Sequence, residues 1–117
     1  MGTGTPKREF LFADNLAEAC IYLMQNYDEA GLVNIGAGED ISIKDLALLI
    51  SKTIGFSGEI VFDTSMPDGT PQKLLDVSKL HNLGWKHNIE LPEGIALAYQ
   101  DFLNVYEPTN LGQHAAA

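Results

Sequence analysis

Two prolines and a glycine, close together in the middle of the chain, limit its fold more than any other feature. Pro67, Gly69 and Pro71 occur in the order Pro-Asp-Gly-Thr-Pro. Each proline fixes its own φ angle and lacks an N–H donor, so neither a helix nor an interior strand can run through this segment. The pattern predicts a stiff, irregular loop that contains Asp68 and is followed by Lys73.

Before this loop, short apolar runs alternate with helical periodicity. Residues 9–13 predict a first buried strand, after which Asp14 or Asn15 caps a helix. One face of that helix is expected to carry Leu16, Ala19, Cys20, Leu23 and Met24. Residues 32–35 predict a second strand that runs into a tight turn at 36–38. The first two strands are expected to pair in parallel across the helix.

A second helix and a third strand are predicted between the turn and the loop. Ser42 and Asp45 have the spacing of a capping box, and Gly55 is placed to end the helix that they begin. The core stripe of this helix is expected to consist of Ile43, Leu46, Ala47, Ile50 and Ile54. Residues 58–63 predict the third strand.

After the loop, the pattern is mainly helical. Asp76 is placed to cap a short helix that Gly84 ends, and Pro92 opens a last helix. We therefore predict one α/β domain over residues 1–106, with a small sheet and about four helices. Residues 107–117 are expected to form a disordered or tag-like tail without function.

The composition argues against several kinds of partner and site. Seven Lys and Arg residues against sixteen Asp and Glu residues give a net charge of −9, which repels nucleic acid and anionic membranes. The sequence shows neither an export signal nor an apolar run of membrane-spanning length, so we expect a cytoplasmic protein. Cys20 is the only cysteine, which excludes an internal disulfide and predicts an inert buried thiol. The three histidines lack ligand spacing, so no metal site is predicted.

Two further patterns resemble binding motifs but have better structural explanations. The turn at 36–38 follows a predicted strand, as a phosphate-binding glycine turn would. However, Ile41 stands where a third glycine is needed, and the acidic residues 39–40 would repel a phosphate, so no cofactor site is predicted. Asp63 and Asp76 are explained by a strand end and a helix cap rather than by metal or acid–base chemistry.

Asp68 and two cations remain as candidates for ligand binding. Arg8 offers a planar fork of donors and Lys73 a point charge, and both are suited to an anionic ligand. Physical reasoning alone also leaves two simpler explanations open. The loop can be a plain surface connector, and Arg8 can form a surface ion pair with Glu9 or Asp14.

The segments that carry a family resemblance form one ordered series. They are Gly-Thr-Gly-Thr-Pro-Lys-Arg-Glu-Phe-Leu at 2–11, Asp-Asn-Leu-Ala at 14–17, Val-Asn-Ile-Gly at 33–36, Val-Phe-Asp at 61–63, Pro-Asp-Gly-Thr-Pro-Gln-Lys-Leu-Leu-Asp at 67–76 and Leu-Gly-Trp at 83–85. The series resembles the second half of the GDP-L-fucose synthase family, a group of extended short-chain dehydrogenases. Its most specific element is Pro-Asp-Gly-Thr-Pro-x-Lys-x-Leu-Asp.

The resemblance implies a GDP-sugar as substrate. Members of this family epimerise GDP-4-keto-6-deoxy-D-mannose and reduce it with NADPH to GDP-L-fucose. The resemblance implies that Arg8 and Asp68 contact the substrate and that Lys73 lies in the same loop. It also implies that the NADP site, the Ser/Tyr/Lys hydride-transfer residues and a Cys/His pair belong to an N-terminal Rossmann domain. That domain is expected to be missing here, so no catalytic or cofactor-binding residue is assigned to this chain.

Three positions depart from the family pattern. Met1 replaces a nucleotide-contacting tryptophan and suggests a cut at a domain boundary, and Asn15 replaces a common aspartate. Gln72 stands where a second cation is often found, which predicts a weaker attraction for phosphate. We therefore expect a substrate-binding domain that is inactive alone and that forms a homo-oligomer. The alternative is an interaction module, or another nucleotide-sugar-binding module, that retained the fold.

Overall fold

The fold is centred on a small mixed sheet. The computed structural model describes residues 2–106, so Met1 and the predicted tail at 107–117 lie outside the described residues. The sheet has three strands in the order β2-β1-β3. β1 spans Lys7–Glu9, β2 spans Asp40–Ser42 and β3 spans Gln72–Lys73. β1 pairs antiparallel with β2 and parallel with β3. Together with four helices, this sheet confirms the predicted α/β class.

The predicted strands differ from the observed ones. The first strand spans Lys7–Glu9 and not residues 9–13 as predicted, and Phe12 is already the N-cap of the first helix. Residues 32–35 and 58–63 were predicted as strands but carry no strand pairing within the part of the chain that the structure describes. An apolar β-branched run favours an extended backbone, but a strand also requires a neighbour. The parallel partner of β1 is β3 and not the segment 32–35, so the predicted pairing is wrong.

Helix α1 spans Ala13–Asn26 and begins without a side-chain cap. The cap predicted at Asp14 or Asn15 is therefore wrong. Asn15 is instead 2% exposed. Its side-chain nitrogen donates to Asn88 Oδ1 at 2.7 Å, and its Oδ1 accepts from the backbone N–H of Ile89 at 3.1 Å. Asn15 thus connects the start of α1 to the segment that precedes the last helix.

The inward face of α1 is rotated from the predicted one. Ala19 packs with Leu80 and Trp85 in the buried core, against the half-buried Tyr22, Leu23, Val33 and Ile35. Leu16 is 44% and Met24 84% exposed, although both were predicted to face inward. Cys20 is exposed as well, so the predicted buried thiol is wrong. The cause is that α1 is apolar on two sides, and periodicity alone does not show which side finds a partner.

Helix α2 confirms its predicted ends. It spans Ile43–Ile54, and the Ser42 hydroxyl accepts from the backbone N–H of Asp45 at 3.1 Å. Gly55 ends the helix with a φ of 75°, a left-handed conformation that glycine adopts without strain. The predicted core stripe is only half-buried or exposed, because none of the residues of α2 is fully buried.

The remaining helices also begin and end close to the predicted residues. Helix α3 spans Ser78–Asn82, and Asp76 Oδ1 accepts from the backbone N–H of Ser78 at 2.9 Å. Gly84 follows with a φ of 101° and ends this helical segment. Helix α4 spans Leu91–Val105 with a proline in its first turn, and it packs against α2. Among the helices of residues 2–106, none combines the length and the apolarity that a membrane span requires.

The buried core of the described residues is small. The buried hydrophobic residues of the described part are Ala19, Val77, Leu80 and Trp85. A core of this size leaves much apolar surface exposed. Each buried polar contact therefore contributes a larger share of the stability of the fold.

The buried amide of Asn15 provides a test of this packing. Asn15→Ala is expected to lower the free energy of unfolding by about 2–4 kcal/mol, because it removes a buried side chain and leaves the half-buried backbone donor of Ile89 without its acceptor. Asn26→Ala on the same helix removes an exposed bond to the Tyr22 carbonyl and is expected to cost less than about 0.5 kcal/mol. Urea unfolding followed by the fluorescence of Trp85 measures both. Equal losses would contradict the structural role of Asn15.

Candidate functional site

The pairing of β1 with β3 places two of the predicted residues side by side. In the parallel register Arg8 is opposite Lys73, and Lys7 is opposite Gln72. Because neighbouring residues of a strand project to opposite faces of a sheet, Arg8 and Lys73 share one face. Lys73 is exposed and Arg8 is half-buried. This face therefore combines two positive charges in a chain whose net charge is −9.

Gln72 lies on the other face of the sheet. Its side-chain amide donates to Asp40 Oδ2 on β2, the strand on the far side of β1. A cation at position 72 would therefore face away from Arg8 and Lys73. The weaker attraction for phosphate expected from Gln72 stays a prediction, and the register shows that Gln72 is not on the face that carries Arg8 and Lys73.

The guanidinium of Arg8 is fixed against the Pro/Gly loop. Its Nη1 donates to the backbone carbonyl of Lys7 at 2.6 Å and to that of Thr70 at 2.7 Å. The expected alternative of an ion pair with Glu9 or Asp14 is wrong, since neither pair is formed within residues 2–106. In the same range, Nε and Nη2 have no hydrogen-bond partner from the protein. These two atoms form the edge of a guanidinium that matches two oxygens of a phosphate.

Asp68 connects the loop to the beginning of the chain. Its Oδ1 accepts from the backbone N–H of Thr3 at 2.9 Å and its Oδ2 from the Thr3 hydroxyl at 2.7 Å. These bonds, first from the hydroxyl and then from the amide, lower the pKa of the Asp68 carboxyl. A Cβ at Gly2 would lie 2.6 Å from Asp68 Oδ1, so the chain passes too close for a side chain there. Asp68 is thus an exposed carboxylate held on Thr3, with lone pairs left for a ligand hydroxyl.

Glu9 is a residue of this region that the sequence analysis did not single out. Its Oε2 accepts from the backbone N–H of Gly38 at 2.6 Å, and its Oε1 accepts from the backbone N–H of Leu75 at 3.1 Å. The glycine turn at 36–38 therefore has a carboxylate where a dinucleotide-binding turn has a phosphate. The residues of this turn do not fit a pyrophosphate, and no step of a reaction is assigned to a cofactor at this place.

Asp63 and Asp76 have structural partners, but not in the predicted roles. Asp63 was predicted at a strand end, and residues 58–63 form no strand in the described part of the chain; its carboxylate accepts hydrogen bonds from the hydroxyl and the backbone N–H of Ser65. Asp76 was predicted as a helix cap, but Val77 is the N-cap of α3, and Asp76 Oδ1 accepts from the backbone N–H of Ser78. These bonds lower the pKa of both carboxyls. Within residues 2–106, no three His, Cys, Asp or Glu side chains lie close enough to hold a metal ion.

Two open cavities lie away from Arg8, Asp68 and Lys73. The larger, of about 480 Å³, is mainly apolar and lies between residues 10–13 and the start of α4. The smaller, of about 360 Å³, lies beside residues 75–78. His87 borders both; its Nε2 lies 3.2 Å from Glu90 Oε2, and its buried Nδ1 has no hydrogen-bond partner among the described residues. None of the three predicted residues lines either of these two cavities.

Comparison with known sequences gives one consistent result. The family model of the NAD dependent epimerase/dehydratase family matches residues 1–36. GDP-L-fucose synthase of Escherichia coli (strain K12) is 49% identical over 111 residues, which cover 87% of this chain and 35% of that protein. The chain spans about a third of the length of the curated relatives that it matches.

Solved structures agree with the sequence matches. The GDP-L-fucose synthetase from Naegleria fowleri bound to NADP has a TM-score of 0.85 at 29% identity, over 93% of this chain and 35% of that chain. The GDP-mannoheptose C4 reductase from Campylobacter jejuni with NADP bound has a TM-score of 0.78 at 48% identity, over 86% of this chain and 33% of that chain. The chain is therefore a homologue of about a third of the length of the GDP-L-fucose synthases and related GDP-sugar reductases, and its first 36 residues match the model of the NAD dependent epimerase/dehydratase family.

Proposed function

We propose that the sheet face with Arg8 and Lys73 binds the diphosphate of a GDP-sugar, as part of a GDP-L-fucose synthase-like enzyme. The observation that carries this proposal is the parallel register of β1 and β3, which places the two cations opposite each other. The relatives whose names specify GDP-L-fucose synthase support the choice of nucleotide sugar. The whole enzyme would epimerise GDP-4-keto-6-deoxy-D-mannose and reduce it to GDP-L-fucose.

Each residue of the site has a distinct part in the proposed binding. The free Nε and Nη2 edge of Arg8 suits two oxygens of one phosphate, while Lys73 offers a point charge to the same diphosphate. Asp68 can accept a hydrogen bond from a sugar hydroxyl, since Thr3 uses only part of its lone pairs. The Pro/Gly loop between these groups has little backbone freedom, which limits the entropy lost on binding.

The hydride chemistry is proposed to lie outside this chain. The parent enzyme is proposed to use NADP, in line with the NADP-bound structures that this chain resembles. The glycine turn at 36–38 does not fit the cofactor, because Glu9 occupies the amide of Gly38. The chain is therefore proposed to bind and orient substrate, and the Rossmann domain of the parent is proposed to supply the reaction.

A second candidate function, as an interaction module, is favoured by the outer side of α1. Leu16, Ile21 and Met24 are 44%, 56% and 84% exposed, and they lie on one side of the helix, together with the exposed Cys20. Exposed apolar stripes of this kind usually meet a partner. The partner proposed here is either the Rossmann domain of the parent or a second copy of this chain.

Nucleotide binding is the direct test of the proposed site. GDP is expected to bind weakly, with a Kd of about 1 mM or above, because the acidic chain opposes a diphosphate and each charge-assisted bond contributes about 1.5–3 kcal/mol at best. NMR shift changes are expected in residues 5–10 and 67–76 and are expected to decrease with salt. Arg8→Ala is expected to weaken binding about tenfold or more.

The control variant for this titration is Lys52→Ala. Lys52 is an exposed cation in the last turn of α2, so its loss changes the net charge without touching the proposed site. An equal loss of affinity in Lys52→Ala and Arg8→Ala would contradict the proposal. Shift changes that centre on residues 36–38 would contradict it as well.

The chain alone is expected to show no reductase activity. Its sequence contains no Tyr-x-x-x-Lys pair to protonate a ketone oxygen and no complete glycine fingerprint. The test follows NADPH absorbance in the presence of GDP-4-keto-6-deoxy-D-mannose, with the full-length Escherichia coli relative as positive control. Oxidation of NADPH that depends on both the chain and the keto sugar would refute this prediction.

Self-association is expected through the outer stripe of α1. Sedimentation velocity is expected to show a mass that increases with protein concentration, and Met24→Lys is expected to shift the molecule toward the monomer because it places a charge in the apolar contact. Val61→Lys is the control, since Val61 is 76% exposed and is not a residue of α1. A monomer at all concentrations, or equal effects of the two variants, would exclude this contact.

A further inference from the structure

Glu9 joins three separate segments of the chain through its carboxylate. One oxygen accepts from Gly38, which is 29 residues away, and the other accepts from Leu75, which is 66 residues away. Both donors are backbone N–H groups in segments without regular structure. A carboxylate that receives two amide donors is well compensated for its partial burial. Glu9 thus connects the end of β1 to the glycine turn and to the exit of β3.

Gly36 leaves the space that this carboxylate occupies. A Cβ at position 36 would lie 2.6 Å from Glu9 Oε2 and 2.9 Å from its Cδ. The φ of Gly36 is not in the left-handed region, so the backbone there suits any residue. Glycine at this position is therefore explained by contact with Glu9, and an alanine would force the carboxylate to move.

The pairing of β1 with β3, which places Arg8 opposite Lys73, is short and depends on additional hydrogen bonds such as those of Glu9. β1 and β3 share only two residue pairs, Lys7 with Gln72 and Arg8 with Lys73. Leu75, held by Glu9, comes two residues after Lys73. A ladder of two pairs has little stability of its own. A bond at the exit of β3 therefore restricts how far Lys73 can move from Arg8.

We propose that Glu9 is a positioning residue for the anion site: its carboxylate, bound by the amides of Gly38 and Leu75, keeps β3 in register so that Lys73 stays opposite Arg8. This inference rests on the proposed function of the Arg8 and Lys73 face. Glu9 acts from the opposite face of the sheet and is not expected to touch the ligand.

Whether Glu9→Gln weakens or strengthens GDP binding distinguishes a positioning role of Glu9 from a purely electrostatic one. A negative charge next to Arg8 disfavours a diphosphate, so removing it by Glu9→Gln would strengthen GDP binding if Glu9 acted only as a charge. The neutral amide of glutamine has one acceptor oxygen and cannot serve both backbone donors in the same way. We therefore expect Glu9→Gln to weaken GDP binding by about five- to tenfold.

Amide hydrogen exchange tests the contact without any ligand. In the unmodified chain the amides of Gly38 and Leu75 are expected to exchange at least about tenfold more slowly than in an unstructured peptide. Glu9→Gln is expected to accelerate both. Glu59→Gln removes the same charge from an exposed position and is expected to change neither exchange nor affinity. Unprotected Gly38 and Leu75 amides in the unmodified chain would overturn the proposal, even if the variants do not fold.

Gly36→Ala disturbs the same contact from its other side. It is expected to accelerate exchange of the Gly38 and Leu75 amides and to weaken GDP binding. The double variant with Glu9→Gln is expected to bind GDP no more weakly than whichever single variant has the lower affinity, because both changes disturb one contact. Additive losses would overturn the proposal, as would stronger GDP binding by Glu9→Gln. If the unmodified chain does not bind GDP, the proposed function fails, and protected amides that open in Glu9→Gln still support the contact of Glu9.

Discussion

The two-residue pairing between β1 and β3 is the contact on which the rest of this structure depends. It joins the start of the chain to a loop more than sixty residues later, as the 62-residue separation of Arg8 and Thr70 shows. Closing a loop of that length costs entropy that two ladder pairs do not offset alone. Side chains supply the remainder: Asp68 holds Thr3, Arg8 holds the carbonyl of Thr70, and Glu9 holds the amide of Leu75.

The same bonds that stabilise this loop also shape the proposed site. Arg8 uses Nη1 for the loop, and its Nε and Nη2 edge is the one proposed to bind a phosphate, so one side chain would serve both purposes. The acidic side chains elsewhere oppose an anion through the net charge of −9. At physiological ionic strength, charges more than about 8 Å apart are partly screened, so the nearby charges of Arg8, Lys73 and Glu9 would have the stronger effect on an anion at the proposed site.

Sequence reasoning predicted the features that are encoded locally. Ser42, Gly55, Gly84 and Pro92 lie at or beside the helix ends where they were expected, because a cap depends on a few neighbouring residues. The strand at 32–35 and the inward face of α1 were not predicted correctly. Both depend on which distant segment comes to lie alongside, and periodicity does not contain that information.

In the candidate site, too, some residues could be predicted from the sequence and others could not. Physical reasoning identified Arg8, Asp68 and Lys73 as a sparse set of charges, and the family resemblance assigned them a substrate. Glu9 was missed because its partners are backbone amides, which leave no trace in the sequence. The sequence does contain the two residues of this contact, Glu9 directly after Arg8 and Gly36 in the Asn-Ile-Gly segment. Nothing in the sequence shows that they lie next to each other in the folded chain.

The exposed apolar surface and the unpaired segments have one physical cause. Residues 32–35 have a strand-like sequence without a strand partner in the described range, and α1 has a second apolar side without a neighbour. A core formed mainly by Ala19, Leu80 and Trp85 buries too little area to satisfy all of these surfaces. Burying them against another surface would gain free energy. The proposed anion-binding face consists of residues of the sheet and not of α1, so the two proposed roles would use different residues.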